Sequence, residues 1–171
     1  MKIYIPFFIF LLLGTSCRKI LLGQDDELSL QRQDYYGKEL RLDGIYYHEI
    51  VGGEYRIYQR YALFRNGVIR DLGGTKEIDD PRIPSGSYKD EWGVFQINNN
   101  EIKFERWIPS AGGGINPAYL SSGTIINDST FQITQRYRNQ NGQKTEVSAE
   151  YEIYHFKAFS PKPDSTNSFI K

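Results

Sequence analysis

The chain has 171 residues, a length that suits one domain. Its 21 Lys and Arg match 21 Asp and Glu, so no net charge points to nucleic acid or an acidic membrane as partner. Aromatic residues make up 15% of the chain, which favours pleated sheet over helix, and no segment recurs at a fixed period, which argues against a solenoid or propeller.

In chain order, Lys2 gives a positive start and Ile3 to Leu13 is an apolar run interrupted by Pro6. Leu13-Gly14-Thr15-Ser16-Cys17 then sets small residues ahead of a cysteine. The run is too short to cross a hydrocarbon core, which takes roughly 20 helical residues, and the arrangement predicts an export signal over 1–16. Cys17 is the only cysteine. It cannot staple the fold, and lipidation accounts for both its presence and its solitude. The lipid on such a cysteine carries enough acyl chains for stable membrane anchoring. The alternative is ordinary secretion, with cleavage nearby and Cys17 incidental. The segment resembles a lipoprotein signal of the Bacteroidetes kind, with Gly14 where the strict pattern has Leu. Residues 17–40 read as lipidated cysteine and linker. Asp25-Asp26-Glu27 is expected to be part of a solvated spacer, with a surface-export tag as the other reading.

From Asp43 the pattern is strand, turn, strand. Runs over Gly44–Ile50, Tyr55–Arg65, Val68–Leu72, Trp92–Ile97, Glu101–Trp107, Tyr119–Ile126, Phe131–Tyr137 and Thr145–Phe156 predict eight strands. Asn66-Gly67 is the strongest hairpin signal among their connections. Several strands alternate with period two. Ile102, Phe104 and Arg106 oppose Glu101, Lys103 and Glu105. Phe131, Ile133, Gln135 and Tyr137 oppose Gln132, Thr134, Arg136 and Arg138, while Val147, Ala149, Tyr151 and Ile153 oppose Ser148, Glu150 and Glu152. One buried and one wet face per strand suits an antiparallel sheet. The first two strands are aromatic on both faces, and pattern does not assign their inside.

An even number of hairpin-linked strands over 41–158 predicts an all-β, eight-stranded antiparallel up-and-down barrel. A two-sheet sandwich is the alternative, with 73–91 as its crossover. Connections in such a barrel alternate between its ends. One end collects the tight turns at Asn66-Gly67, Asn98–Asn100 and Asn127–Ser129; the other collects 51–53, 73–91, 108–118 and 138–144. Long loops concentrate function. The first strand starts and the last one ends at the tight-turn end, so the tether and a flexible tail over 159–171 are expected to leave from there, with the loop-rich mouth facing away from the membrane. Tyr55, Trp92, Arg106, Trp107, Tyr119 and Tyr137 fall at the mouth. Aromatic rings beside an arginine can stack on a flat ligand or sugar and pair with an anion; the other reading is that they fill the barrel, which is only just wide enough for side chains.

With the leader, Gly44-Ile45-Tyr46, Phe64-Arg65-Asn66-Gly67-Val68 and Trp92-Gly93-Val94-Phe95 in place, the chain resembles lipocalin-like lipoproteins of Bacteroidetes, which are calycin-type barrels, over about residues 40 to 158. Lipocalins open their first strand with Gly-x-Trp, and Tyr46 stands in the Trp place. The resemblance implies a fold, and a fold carries no ligand with it.

Other features weigh little. His48 and His155 lack companions at ligand spacing, so no metal is expected. Gly112-Gly113-Gly114 is followed by Ile115-Asn116-Pro117, which is no phosphate loop, and no Gly-x-Ser-x-Gly occurs. No catalytic residue or cofactor is expected. The first expectation is a membrane-tethered module of the outer membrane, on its periplasmic or surface face, holding a small hydrophobic or amphipathic ligand at the mouth. The second is a protein-interaction module of the envelope with a solid core. A hydrolase comes third and would need a convergent acid pair inside the barrel.

Overall fold

The structure, a computed structural model, describes residues 24–110, 114–140 and 143–171; the leader and Cys17 lie outside them. The strands are β1 (Gly44–Gly52), β2 (Tyr55–Leu63), β3 (Val68–Thr75), β4 (Trp92–Asn98), β5 (Glu101–Trp107), β6 (Ala118–Asn127), β7 (Thr130–Gln140) and β8 (Gln143–Ala158), with one 3-10 turn at Lys89–Glu91. Each strand pairs antiparallel with the next and β1 pairs with β8, so the sheet closes in sequential order. This is the expected all-β up-and-down barrel. The 73–91 segment is a loop, not a crossover between sheets.

Two cores flank the wall. Tyr46, Tyr61, Leu63, Ile69, Phe95, Ile102, Phe104, Phe131, Ile133 and Tyr154 fill the interior, each on the apolar side of a period-two strand. Ile45, Ala62, Val68, Leu72, Trp92, Val94, Trp107 and Ala118 form a second cluster on the outside of the wall. An outer apolar face must be covered, and the described segments before β1 and after β8 cover it. Leu28 and Leu30 from the segment before β1, and Phe159, Phe169 and Ile170 from the segment after β8, pack into this outer cluster.

The path of the first segment changes the geometry expected from sequence. Asp26 N–H bonds Asn116 O in the β5–β6 loop. Leu30 N–H then bonds the Glu105 carboxylate on the outer wall, and Gln31 O accepts from Gln96. At the tight-turn end Tyr35 N–H bonds Arg65 O and Arg41 N–H bonds Asp128 O, with Tyr35 and Leu40 closing the interior from below. The segment is therefore a strap that descends the outside of the barrel from the loop-rich end, crosses the tight-turn end and only then enters β1. It is not a solvated spacer, because Leu28, Leu30, Tyr35 and Leu40 each find an apolar seat. Residue 24 lies at the loop-rich end, which overturns the expectation that the tether leaves from the opposite one.

The segment after β8 is packed rather than free. Lys162 Nζ donates to Leu42 O and Leu63 O and lies over the Phe64 ring; burial pulls its ammonium down to about 8. Asn66 donates to Ser165 and Arg70 to Asp164 O, and Ile170 is buried. Tail and strap run antiparallel over the β3–β4 seam, the shortest ladder of the barrel, registered at Val68↔Val94, Ile69↔Gly93 and Arg70↔Trp92.

Gly67 tests this crossing. Its φ is 76° in the β2–β3 turn, and a Cβ there would stand 2.1 Å from Gln33 O of the strap. Gly53, φ 59° in the β1–β2 turn, faces open space. Left-handed backbone alone costs a non-glycine residue about 1–2 kcal/mol. Gly53→Ala is expected to lose about that much in chemical denaturation, and Gly67→Ala at least ~1 kcal/mol more, because the strap must give way; equal losses would contradict the crossing.

Candidate functional site

The loop-rich end gathers the long connections, as alternation of connections in an up-and-down barrel requires, and its interior half is polar. Arg106 of β5 points inward and meets Asp71 of β3 at 2.7 Å; Asp71 also accepts from Gln59 at 2.6 Å and from Gly73 N–H at 2.7 Å. Burial opposes the Arg106 charge, but Tyr61, Asp71 and Tyr154 hold it well above its ordinary value. Arg136 of β7 lies 3.1 Å from Glu152 and 3.5 Å from Glu150 of β8 and donates to Ser121 of β6. Its burial is likewise outweighed by these two carboxylates, so it stays charged. Tyr154 donates to Glu152, and burial pushes that phenol, and that of Tyr61, upward.

Arg136 reaches the interior through a bulge. Gly123 pairs with Ile133, but Ser121 pairs with Arg136, so the extra residue of β7 reverses the parity beyond Ile133. The alternation Phe131, Ile133, Gln135, Tyr137 therefore holds for its first two members only. On β8 the expected inside is inverted. Glu150 and Glu152 face the interior arginine, while Val147 and Tyr151 are exposed.

Below this polar half the lumen is filled. Tyr61 of β2 meets Phe104 of β5 at a centroid distance of 5.6 Å, across the barrel, and Arg106 sits 5.2 Å from the same Tyr61 ring. Tyr154 stacks on Phe131 at 4.9 Å, and Phe131 lies 5.1 Å from Tyr46. Tyr46 closes the tight-turn end, its hydroxyl donating to Arg41 O and Asp128 O.

The six residues expected at the mouth do not converge. Arg106 alone lines the polar interior. Trp92 is buried on the outer wall beneath the Arg70 guanidinium and donates to Gly86 O; Trp107 is buried there too, under Lys89, and donates to Asp26 O. Both point outward because the strap and the tail give that wall a core of its own. Tyr137 is buried with Lys144 4.2 Å above its ring, Tyr119 at the rim bonds Glu146, and Tyr55 stands 70% exposed at the tip of the β1–β2 hairpin. The 76–91 loop folds against the outer wall, where the fully buried Arg60 guanidinium holds Leu72 O, Asp80 O and Arg82 O. His48 lies inside against Tyr154, whereas His155 lies outside against Tyr47, so the wall separates the two imidazoles.

The acidic pair of the strap, expected as part of a solvated spacer, is instead bound to the rim. Asp26 accepts from Arg138 Nε at 2.6 Å and Nη2 at 2.9 Å and from Ala118 N–H at 3.1 Å. Asp25 accepts from Lys89 and from Asn116 N–H. The Arg138 guanidinium holds the Asp26 carboxyl below its usual range against the opposing effect of burial. For Asp25 burial pushes upward, and Lys89 with Asn116 outweighs it. Lower on the strap the balance reverses: burial raises the Glu105 carboxyl despite hydrogen bonds from Ser29 and Leu30. A groove of about 800 Å3 runs between strap and tail, bordered by Asp26, Leu30, Lys89, Trp107 and Ile170.

No family model, characterised protein or solved structure matches the chain.

The Asp26 clasp sets a pH dependence. A carboxyl whose folded value is depressed contributes stability that is complete above its unfolded value near 3.8 and is lost as pH falls through the folded one. Glu105, raised on folding, acts the other way and favours the folded state below 4.5. Asp26→Ala is expected to cost about 2 kcal/mol at pH 7 and to speed hydrogen exchange at the Asp26 and Leu30 amides. The difference from wild type should shrink as pH is lowered below 4; a pH-independent difference would contradict the clasp.

Proposed function

We propose that the protein is a lipocalin-like lipoprotein of the cell envelope, anchored through acylated Cys17 after removal of residues 1–16, whose barrel works as a solid module that engages partners by its surface. The observation that carries the second half is the Tyr61–Phe104 contact across the lumen, capped by Arg106. Side chains from opposite walls touch at mid-height, so a ligand pushed inward would have to displace a packed aromatic core, and truncating such a core costs several kcal/mol. Above that level, Arg106 and Arg136 already have carboxylate partners, so an anionic ligand would compete with ion pairs that are satisfied. Anchoring is supported by the positive start, short apolar run and lone Cys17 of the sequence.

A second reading has one specific observation in its favour. Ile50 and Ile57 pair across β1 and β2 on the inward side of the rim and are both exposed, which would suit the apolar part of an amphipathic ligand seated shallowly at the mouth.

Native mass spectrometry of the full chain extracted from the envelope in mild detergent separates the two. A solid module is expected to carry no bound small molecule and to gain no thermal stability from lysolipids or fatty acids. A stoichiometric adduct lost on Ile57→Glu would establish the second reading. Intact mass is expected to show a chain beginning at an acylated residue 17, and Cys17→Ser is expected to leave the membrane fraction.

A further inference from the structure

The strap fixes where a tether on Cys17 must act. Asp25 and Asp26 are held to Lys89, Asn116, Ala118 and Arg138 at the loop-rich end, and Gln24 is the seventh residue after Cys17. Seven residues reach at most about 25 Å when fully extended. A strand of eight residues at the tilt of a small barrel rises about 20 Å. For the tight-turn end to meet the bilayer, the tether would have to run almost fully stretched down the wall.

The same end carries unpartnered apolar surface. Among the described residues, Val51 and Tyr55 at the β1–β2 tip and Val147 and Tyr151 on β8 are exposed, Tyr151 to 79%. These two groups flank a split in the wall. The β1–β8 ladder runs from Gly44↔Ala158 to Tyr47↔His155 and then stops; continued in register, it would have set Val51 beside Tyr151. The charges around the groups are mixed: Glu49 is paired with Arg56, Glu146 with Arg138, and Glu54, Lys76 and Lys144 stand nearby in sequence or register. Tyrosine with small aliphatic neighbours is chemistry suited to the headgroup layer.

We propose that the loop-rich end of the barrel rests on the lipid bilayer, with the β1–β2 tip and the exposed face of β8 in the headgroup layer. The inference builds on the acylation of Cys17 proposed above. It leaves the tight-turn end and the outer wall pointing away from the membrane, as the surfaces free to meet an envelope partner.

The test uses the full lipoprotein reconstituted in vesicles of phosphatidylethanolamine and phosphatidylglycerol. Acylation occupies the only native thiol, so Tyr55→Cys, Tyr151→Cys and, at the tight-turn end, Ile126→Cys each accept a single environment-sensitive fluorophore. Quenching by nitroxide-labelled lipid is expected to be severalfold stronger at 55 and 151 than at 126, quenching by aqueous iodide to follow the reverse order, and neither to change with salt, since contact is apolar and local charges are mixed. Lipid quenching that is strongest at 126, or equal at all three, overturns the orientation while leaving the anchor intact. Labels at 55 and 151 shielded from both quenchers overturn it in favour of a protein contact, with a partner or a second copy. Intact mass of the same samples reports on Cys17: an unacylated chain removes the anchor, and the orientation with it.

Discussion

The closure of the barrel depends on how its weakest seam is covered. An antiparallel barrel removes sheet edges only if every neighbouring pair is joined, and β3 and β4 share a ladder of just Val68 to Arg70 against Val94 to Trp92. Outside that seam lie Val68, Leu72, Trp92 and Val94, apolar side chains that would otherwise face water. The strap before β1 and the tail after β8 cover them. Two flanking segments that the sequence pattern would leave in solvent thus take the place that further ladder hydrogen bonds hold elsewhere in the sheet.

The loop-rich end follows from the same arrangement. Because the strap arrives there, its acidic pair meets the cations of the rim, Arg138 and Lys89, and ties the β5–β6 loop to β7. Inside the rim, two arginines and three carboxylates satisfy one another around Tyr61 and Tyr154. A buried ion pair adds little net stability when complete and much instability when broken. This network therefore fixes side-chain positions at the mouth more than it strengthens the barrel, and the stacked rings beneath it supply the apolar burial.

Much of the fold was legible because period-two alternation and short polar turns are local signals. Ile102, Phe104 and Arg106 share one face in the alternation, and the structure places all three inside. The misreadings have physical causes. A bulge in β7 turns Arg136 inward, and a strict period of two cannot register an inserted residue. On β8, Glu150 and Glu152 face inward because Arg136 is there to meet them, so the polar face is the buried one. Trp92 and Trp107, expected at the mouth, belong to the outer core, whose existence depends on Leu28, Leu30 and Ile170, residues distant in sequence. A signal was present: Val68, Ile69 and Leu72, with Trp92, Val94 and Phe95, are apolar on both faces of their strands, which means a cover on each side. The acidic pair carried no such mark, since its partners lie 64 to 112 residues away.

The central claim, that the chain before β1 returns to the loop-rich end, is tested most directly by paramagnetic relaxation from a nitroxide at position 24. In a Cys17→Ser, Gln24→Cys chain the account predicts strong broadening of the Trp107 indole N–H and the Asn116 and Arg138 amides, with the Asp128 and Ser129 amides unaffected. Broadening centred on Asp128 and Ser129, or none at any of these sites, would contradict it.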